Sequence, residues 1–352
     1  MQENSHIVYI SPGFARDVDD GYCMPYFQNL LTALHRKHPK LRVSVIALQY
    51  PYHDQPYQWK HVDVYPCGGN NTGFPSRLRT WWKAERYFRQ LHKKQPVDLI
   101  HSFWLSECAM LGNRWAKKNR IPHLVNLMGQ DVLPTNRYLK WVDRQYPRLV
   151  AVSEFQAEMF QKTTGERVSA TIPHGNDLPQ EDHAYQQERD IDILGVGSLI
   201  PLKQYDWLVG AVAEVVKTHP KLKVVILGEG PEEEPLRAQA RSLGIEKNLT
   251  VKGWVPRSEV LNYLGRSRIL AHPSRYEAYG FVFAEALWQG ATVVSQKVGT
   301  ARALPKWHLV DDQRQFTQKL LEVLSTDMDI SRVSLDSANE IAFHYWEQYS
   351  QA

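Results

Sequence analysis

The sequence has little cysteine and no strong excess of either charge. Its three cysteines, Cys23, Cys67 and Cys108, are widely spaced and form no Cys-x-x-Cys pair, which excludes a disulfide framework and a thiolate zinc site. Such usage fits a reducing, cytoplasmic setting. Lysine and arginine number 42 against 38 aspartates and glutamates, and the net charge of +4 is too small to mark a nucleic-acid binder. Long hydrophobic runs are also missing. The longest weakly charged span, Ala278 to Gln296, contains Glu285 and two glycines, and it falls short of the roughly 20 apolar residues of a membrane helix. The first residues hold neither a basic segment nor the apolar stretch of a signal peptide. A cytoplasmic protein is expected, with any membrane contact peripheral at the inner face of the cell membrane. No internal repeat is visible, which argues against a tandem array.

What is present is ordinary globular material, 352 residues with 43% apolar and 23% charged side chains. At about 150 residues per domain, that length suggests two domains. Short β-branched runs, each followed by a stretch with helical spacing, recur at Ile7 to Ile10, Leu41 to Leu48, Val62 to Tyr65, Val97 to Ser102, His123 to Leu127 and Leu149 to Val152. This alternation reads as parallel βαβ units. After a polar linker, Pro179 to Glu188, the series restarts at Ile191 to Val196. It continues at Leu222 to Leu227, Leu249 to Val251, Arg268 to Ala271, Thr292 to Ser295 and His308 to Val310. The expected class is α/β, with two Rossmann-like domains, 1–183 and 184–335, and a C-terminal helix in 336–352 packing back on the first. Residues 1–183 carry 23 basic and 17 acidic side chains and the remainder 19 and 21, so the positive surface belongs to the first half. Ligands of open parallel sheets sit outside the carboxyl ends of the strands, so two such domains facing each other would enclose a cleft.

The loops after the second-half strands carry the chemistry. Gly197 to Lys203 follows the first of them, and a lysine just ahead of a helix suits an anion, although alone it reads equally as a surface lysine. Gly228 to Pro231 follows the next, a turn that lets a ligand approach the backbone or serves only as punctuation. After Leu270 come His272, Pro273, Ser274, Arg275, Tyr276, Glu277, Ala278, Tyr279 and Gly280, then an apolar helix from Phe281 to Gln289 stopped by Gly290. Backbone N–H groups at Phe281 and Val282, with the helix dipole behind them, suit phosphate oxygens. Glu285 lies four residues in, roughly 6 Å along the axis, the distance from a diphosphate to ribose hydroxyls. Glu277 would lie on the other side of the diphosphate, where a sugar would sit. The bland alternative makes the two glutamates a loop residue and a helix-face residue.

These residues resemble family 4 glycosyltransferases of the GT-B fold, which transfer a sugar from a nucleotide donor with retention of configuration. The likeness covers nearly the whole chain. It rests on the ordered set Gly197 to Lys203, Gly228 to Pro231, Val251 to Val255, and Glu277 with Glu285. In the first half it rests on Gly129 to Val132, Val152 to Glu154 and Ile172 to Asp177. The resemblance implies that Lys203 neutralises the diphosphate, Glu277 holds donor-sugar hydroxyls and Glu285 binds ribose. Ser198, Gly230, Tyr279, Gly280, Phe281 and Val282 would cradle phosphates and sugar, Trp254 and Val255 would line the base pocket, and the loop Asp19 to Tyr22, with Gly21, would close over the donor. Asp131 is the candidate carboxylate on the acceptor side, with helix capping as its other reading. Ser198 stands where the family has an arginine, Met128 where many members have a histidine, and Ala278 where they have a glycine.

No cofactor beyond the nucleotide-sugar co-substrate and no metal site is expected. Three Asp-x-Asp pairs, starting at Asp17, Asp190 and Asp327, could each be read as a manganese site of a different transferase fold, but the second flanks the entry of a strand and the third lies in a polar connection. The acceptor would be a glycan or a lipid-linked molecule. The helix predicted over Ser76 to Gln95 puts Leu78, Trp81, Ala84, Phe88 and Leu91 on a core stripe. Arg77, Arg79, Lys83, Arg86, Arg89, Lys93 and Lys94 lie mostly elsewhere, bordered by Trp82 and Tyr87, a pattern that suits anionic headgroups or simply a solvated face. The rival functions are a non-catalytic nucleotide-sugar-binding or partner-binding homologue and a dinucleotide oxidoreductase; the latter lacks Gly-x-Gly-x-x-Gly at both glycine turns.

Overall fold

The computed structural model describes residues 1–175 and 188–351. The expected linker up to Gln187, the boundary at residue 183, and Asn176 and Asp177 of the first-half motif lie outside the described residues. The chain divides into two compact units, Met1–Asp177 with Asp336–Ala352, and Leu178–Leu335.

Unit 1 contains strands β1 (His6–Gly13), β2 (Arg42–Tyr50), β3 (Tyr57–Trp59), β4 (Val62–Pro66), β5 (Leu99–Phe103), β6 (His123–Asn126), β7 (Arg148–Ala151) and β8 (Ala170–Thr171). Its helices are α1 (Pro25–Lys37), α2 (Ser76–Lys94), α3 (Glu107–Asn119) and α4 (Glu154–Thr164). The sheet order is β3-β4-β2-β1-β5-β6-β7-β8, parallel except for the β3–β4 pair. Near-continuous burial along β1, β2, β5 and β6 is what helices on both faces of a parallel sheet require. The short strands β3 and β8 lie beyond the six runs read from the sequence.

Unit 2 contains β9 (Ile191–Val196), β10 (Val224–Leu227), β11 (Leu249–Gly253), β12 (Ser267–His272), β13 (Thr292–Gln296) and β14 (Trp307–Val310). Its helices are α5 (Tyr205–Val215), α6 (Glu233–Ser242), α7 (Arg257–Gly265), α8 (Phe281–Trp288) and α9 (Gln313–Ser325). The order β11-β10-β9-β12-β13-β14, all parallel, is the doubly wound dinucleotide-fold arrangement. The order of strand addition reverses between β9 and β12, and the loops after these two strands flank that switch point.

The last helix, α10 (Ala338–Ser350), starts with a Ser337–Glu340 capping box and belongs to unit 1. A buried polar chain ties it to the sheet. Tyr349 Oη lies 2.8 Å from Tyr9 Oη and 2.8 Å from His101 Nδ1, His101 Nε2 lies 2.7 Å from Asn126 Oδ1, and Asn126 Nδ2 donates to Tyr345 Oη at 2.5 Å. Burial pushes His101, His123 and His174 down to about 3, and burial with the Arg42 charge pushes His6 down to about 4. These imidazoles fold neutral, whereas the unfolded chain takes up protons below about pH 6.5, so stability is full above that pH and is lost as pH falls toward 3 to 4. Each histidine removes up to about 1.4 kcal/mol per pH unit in that window. The urea unfolding midpoint should therefore drop clearly between pH 7.5 and pH 5.5; a constant midpoint would show that the imidazoles are solvated.

Candidate functional site

The loops after β9 and β10 are zipped together. Leu199 N–H donates to Glu229 O at 2.8 Å, Glu232 N–H to Leu199 O at 2.9 Å and Gly197 N–H to Leu227 O at 3.0 Å. Backbone approaches this close leave no room for side chains. A Cβ at Gly228 would fall on the Gly197 carbonyl, and one at Gly230 on that of Leu199. The zip presents Ser198 to solvent and delivers one 3-10 turn, Pro201–Lys203, at its end.

That turn meets the loop after β12. Arg275 N–H donates to Leu202 O at 3.0 Å, and Lys203 Nζ pairs directly with Glu277 Oε1. The sequence reading placed these two side chains on different groups of a ligand; the structure puts them in contact. His272, the last residue of β12, reaches the same oxygen with Nε2 at 2.6 Å. Burial alone would push the Glu277 carboxyl up, but the His272 hydrogen bond and charge and the Lys203 ammonium outweigh it and hold the carboxyl down at about 2. Burial lowers His272 in turn, against the pull of Glu277. The lysine charge and the His272 Nε2–H donor keep the carboxylate ionised. Oε1 is thus occupied twice, while Oε2 has no hydrogen-bond partner among the described residues. His272 Nδ1 and the Tyr205 hydroxyl are buried without partners. A Cβ at Gly197 would lie 3.1 Å from Tyr205 Oη and 3.7 Å from Lys203 Cε, which puts the hydroxyl beside the same loop.

Three residues beyond Glu277, α8 begins at Gly280, whose φ of 86° and contact with the Phe283 ring require glycine. Gly280 at the N-cap has no side chain of its own to cap the helix, whose leading end carries peptide N–H groups and the positive end of the dipole. The approach is held by Thr300, which donates from N and Oγ1 to Tyr279 O at 2.9 and 3.0 Å. Ala278 is buried and does not adopt a positive φ, so its methyl group is tolerated where the family has glycine. Phe281 and Val282 are half-buried.

One turn into α8, buried Glu285 accepts from Arg257 Nε at 2.8 Å. Burial pushes its carboxyl up, and Arg257 offsets part of that rise. Arg257 joins the β11–α7 loop to α8, and this loop carries Val255, half-buried, and Trp254, 60% exposed. The indole expected to line a base pocket thus stands largely in solvent.

Two expected site residues lie in unit 1. Asp131 accepts from Leu105 N and Gly129 N at 2.8 Å and from Met128 N at 3.2 Å, and burial pushes its carboxyl up against these bonds. Both oxygens accept from backbone N–H groups of the surrounding loops, and Asp131 sits inside the 3-10 turn Gln130–Val132, not at its cap. Gly21 sits in an exposed loop with open space around it, and the loop is organised instead by Asp20, which accepts from Arg16 N at 2.9 Å and Tyr50 Oη at 2.7 Å. The sequence reading assigned no role to His272, Tyr205, Arg257 or Thr300. Of these, only His272, at a strand terminus five residues before Glu277, had a positional signal.

On α2, two of the seven cations hydrogen bond to acids, Lys83 to Asp54 at 2.5 Å and Arg89 to Glu85 at 2.7 Å, while Arg77 lies 3.5 Å from Glu107 without a hydrogen bond to it. Thr80, Ala84, Phe88 and Leu91 form the buried stripe, Trp81 is half-buried and Leu78 is exposed, contrary to its expected core place. Of the Asp-x-Asp carboxylates, Asp17, Asp190, Asp192 and Asp329 are engaged, for example Asp190 with Arg266 at 2.6 Å.

Fold and site together define a glycosyltransferase of the GT-B class. Residues 26–179 match the family described as Glycosyltransferase Family 4, and residues 180–307 match Glycosyl transferases group 1. The chain belongs to the family 4 glycosyltransferases. It is 26% identical to the phosphatidylinositol N-acetylglucosaminyltransferase gpi3 subunit of Schizosaccharomyces pombe, over 80% of this chain and 65% of that protein. It is 29% identical to the D-inositol 3-phosphate glycosyltransferase of Segniliparus rotundus, over 80% and 70%. The chain thus spans about two thirds of the length of these relatives. Sucrose-phosphate synthase from Thermosynechococcus elongatus shares the fold at a TM-score of 0.69, covering 99% of this chain and 98% of that one at 17% identity. Anabaena HepE in complex with UDP does so at 0.64, covering 98% and 100% at 15% identity.

Proposed function

We propose that the protein moves a hexose-type sugar from a UDP- or GDP-sugar to a glycan or lipid-linked acceptor, with retention of configuration and without a metal ion. The observation that carries this reading is the Lys203–Glu277–His272 cluster at the β9/β12 switch point, immediately ahead of α8. The bond from anomeric carbon to phosphate oxygen breaks, a bond to the acceptor oxygen forms, and the acceptor's proton passes to the departing phosphate. Negative charge growing on the diphosphate is met by Lys203 and the amides of Phe281 and Val282, with Ser198 and Gly230 in the adjoining loops. Glu277 keeps Oε2 for sugar hydroxyls while Oε1 is fixed by its two donors. Glu285, held by Arg257, takes the ribose, with the backbone of Tyr279 and Gly280 on the phosphates and Trp254 and Val255 toward the base. Attack from the leaving-group side requires no enzymic nucleophile, in keeping with an Asp131 carboxylate bonded to the backbone.

The relatives named for phosphatidylinositol and D-inositol 3-phosphate support a phosphorylated polyol as acceptor, free or lipid-linked. Among the described residues no helix is long and apolar enough to cross a membrane. A lipid-linked acceptor would be met through α2, where Phe74, just ahead of the helix, Leu78 and Trp82 are 75%, 47% and 62% exposed.

Nucleoside diphosphates should stabilise the protein in thermal unfolding, by about 2.7 kcal/mol at 100 times their dissociation constant, and the responding base identifies the donor. Lys203→Ala and Glu277→Ala should each lower turnover by about 10²- to 10³-fold; undiminished turnover of Glu277→Ala contradicts the assignment. If the lipid-linked reading is right, the chain co-sediments with anionic vesicles and the double variant Phe74→Ser with Trp82→Ser does not. Absence of sedimentation of the unaltered chain would remove the membrane from the account.

A further inference from the structure

Unit 1 has its own cavity of about 520 Å³ at the carboxyl ends of β1, β2 and β5, where its sheet changes direction between β1 and β5. Its wall carries donors that have nothing to donate to. Arg77 lies along it with a side chain 24% exposed; its Nε is buried without a hydrogen-bond partner, 3.5 Å from Glu107 Oε2, and its terminal nitrogens hydrogen bond to none of the described residues. Trp104 Nε1, the Tyr138 hydroxyl and the Asn71 side-chain amide on the same wall hydrogen bond to none of the described residues, while Asn71 N–H donates to Gln49 Oε1 at 2.9 Å. Ser106 Oγ accepts from Cys108 N at 3.4 Å, and its own proton goes to no described acceptor.

The one acid on the wall is spent. Glu107 takes Gln49 Nε2 on Oε1 at 2.5 Å and Trp81 Nε1 on Oε2 at 2.7 Å. Three residues lining the cavity, Met24, Asn71 and Trp104, adopt φ of 52°, 52° and 70°. For a bulky indole this is a genuine outlier, and such conformations gather at ligand sites. The wall therefore offers a guanidinium and several neutral donors, with its only carboxylate already bonded.

We infer that this cavity binds the acceptor through an anionic oxyacid group, a phosphate ester, held by the Arg77 guanidinium with Tyr138, Trp104 and Ser106 beside it. This deepens the transferase reading and rests on it. Arg77 then leaves the set of headgroup-facing cations on α2 and becomes the residue that tells a phosphorylated acceptor from its uncharged twin.

The test is calorimetric titration of the full chain carrying Lys203→Ala, which removes the donor-side cation, with inositol 1-phosphate, inorganic phosphate and inositol. The two phosphates should bind and inositol should not. Adding Arg77→Gln should weaken phosphate binding by at least about tenfold, and Arg77→Lys should weaken it less. Phosphatidylinositol vesicles competed off by inositol 1-phosphate would mark a lipid source; binding confined to the free ester would mark a soluble one. Phosphates that do not bind, or that bind Arg77→Gln undiminished, overturn the inference. Nucleotide-induced thermal stabilisation of the Arg77→Gln single variant shows that it is folded. A nucleotide response without a phosphate response sinks this inference alone, and no nucleotide response in the unaltered chain sinks the transferase reading.

Discussion

Unit 2 is organised around a carboxylate that one lysine and one histidine hold ionised inside the protein. Left alone, Glu277 would be pushed toward its neutral form by burial, and a neutral acid would be a weak partner for Lys203. The contact costs desolvation of both groups, and it is sustained because Lys203 and His272 converge on one oxygen. Convergence depends in turn on the backbone. Lys203 is in position because Gly228 and Gly230 let two loops pack carbonyl against α-carbon, and Glu277 because β12 ends at His272 and Thr300 anchors Tyr279. The arrangement leaves the second carboxylate oxygen without a hydrogen-bond partner among the described residues.

Much of this was legible in the sequence. Strands buried on both faces are short β-branched runs, and such runs locate β9 to β14 to within two residues because little else produces that pattern. The glycine turns and the glutamate pair were visible in their order along the chain. Side-chain partnership was not. Nothing local in Pro-Arg-Ser marks Arg257 as the counter-ion of a glutamate 28 residues later, and His272 is one of 14 histidines. Asp131 shows why an acid in a motif is ambiguous: bracing a loop and activating a substrate call for the same residue type, and the backbone amides that surround it could not be read from the sequence. Leu78 shows the same limit for periodicity, since helical spacing fixes a stripe but not how far along it the neighbouring elements reach.

The two units use one architectural device differently. Each has a sheet that changes direction beside its first strand, and each gathers unusual backbone there. In unit 2 the loops at that point are glycine-rich, so peptide groups do the work. In unit 1 they carry bulky residues at positive φ and a guanidinium with donors to spare. On the proposed reading the backbone amides of unit 2 meet the diphosphate of a UDP- or GDP-sugar, and the side chains of the unit 1 cavity meet the acceptor.

The central claim is tested most directly by a crystal structure of the chain with the nucleoside diphosphate that stabilises it. The account predicts phosphate oxygens on the amides of Phe281 and Val282 and on Lys203 Nζ, with ribose hydroxyls on Glu285. A diphosphate bound elsewhere, with Lys203 and Glu277 untouched and the start of α8 closed by protein, would contradict it.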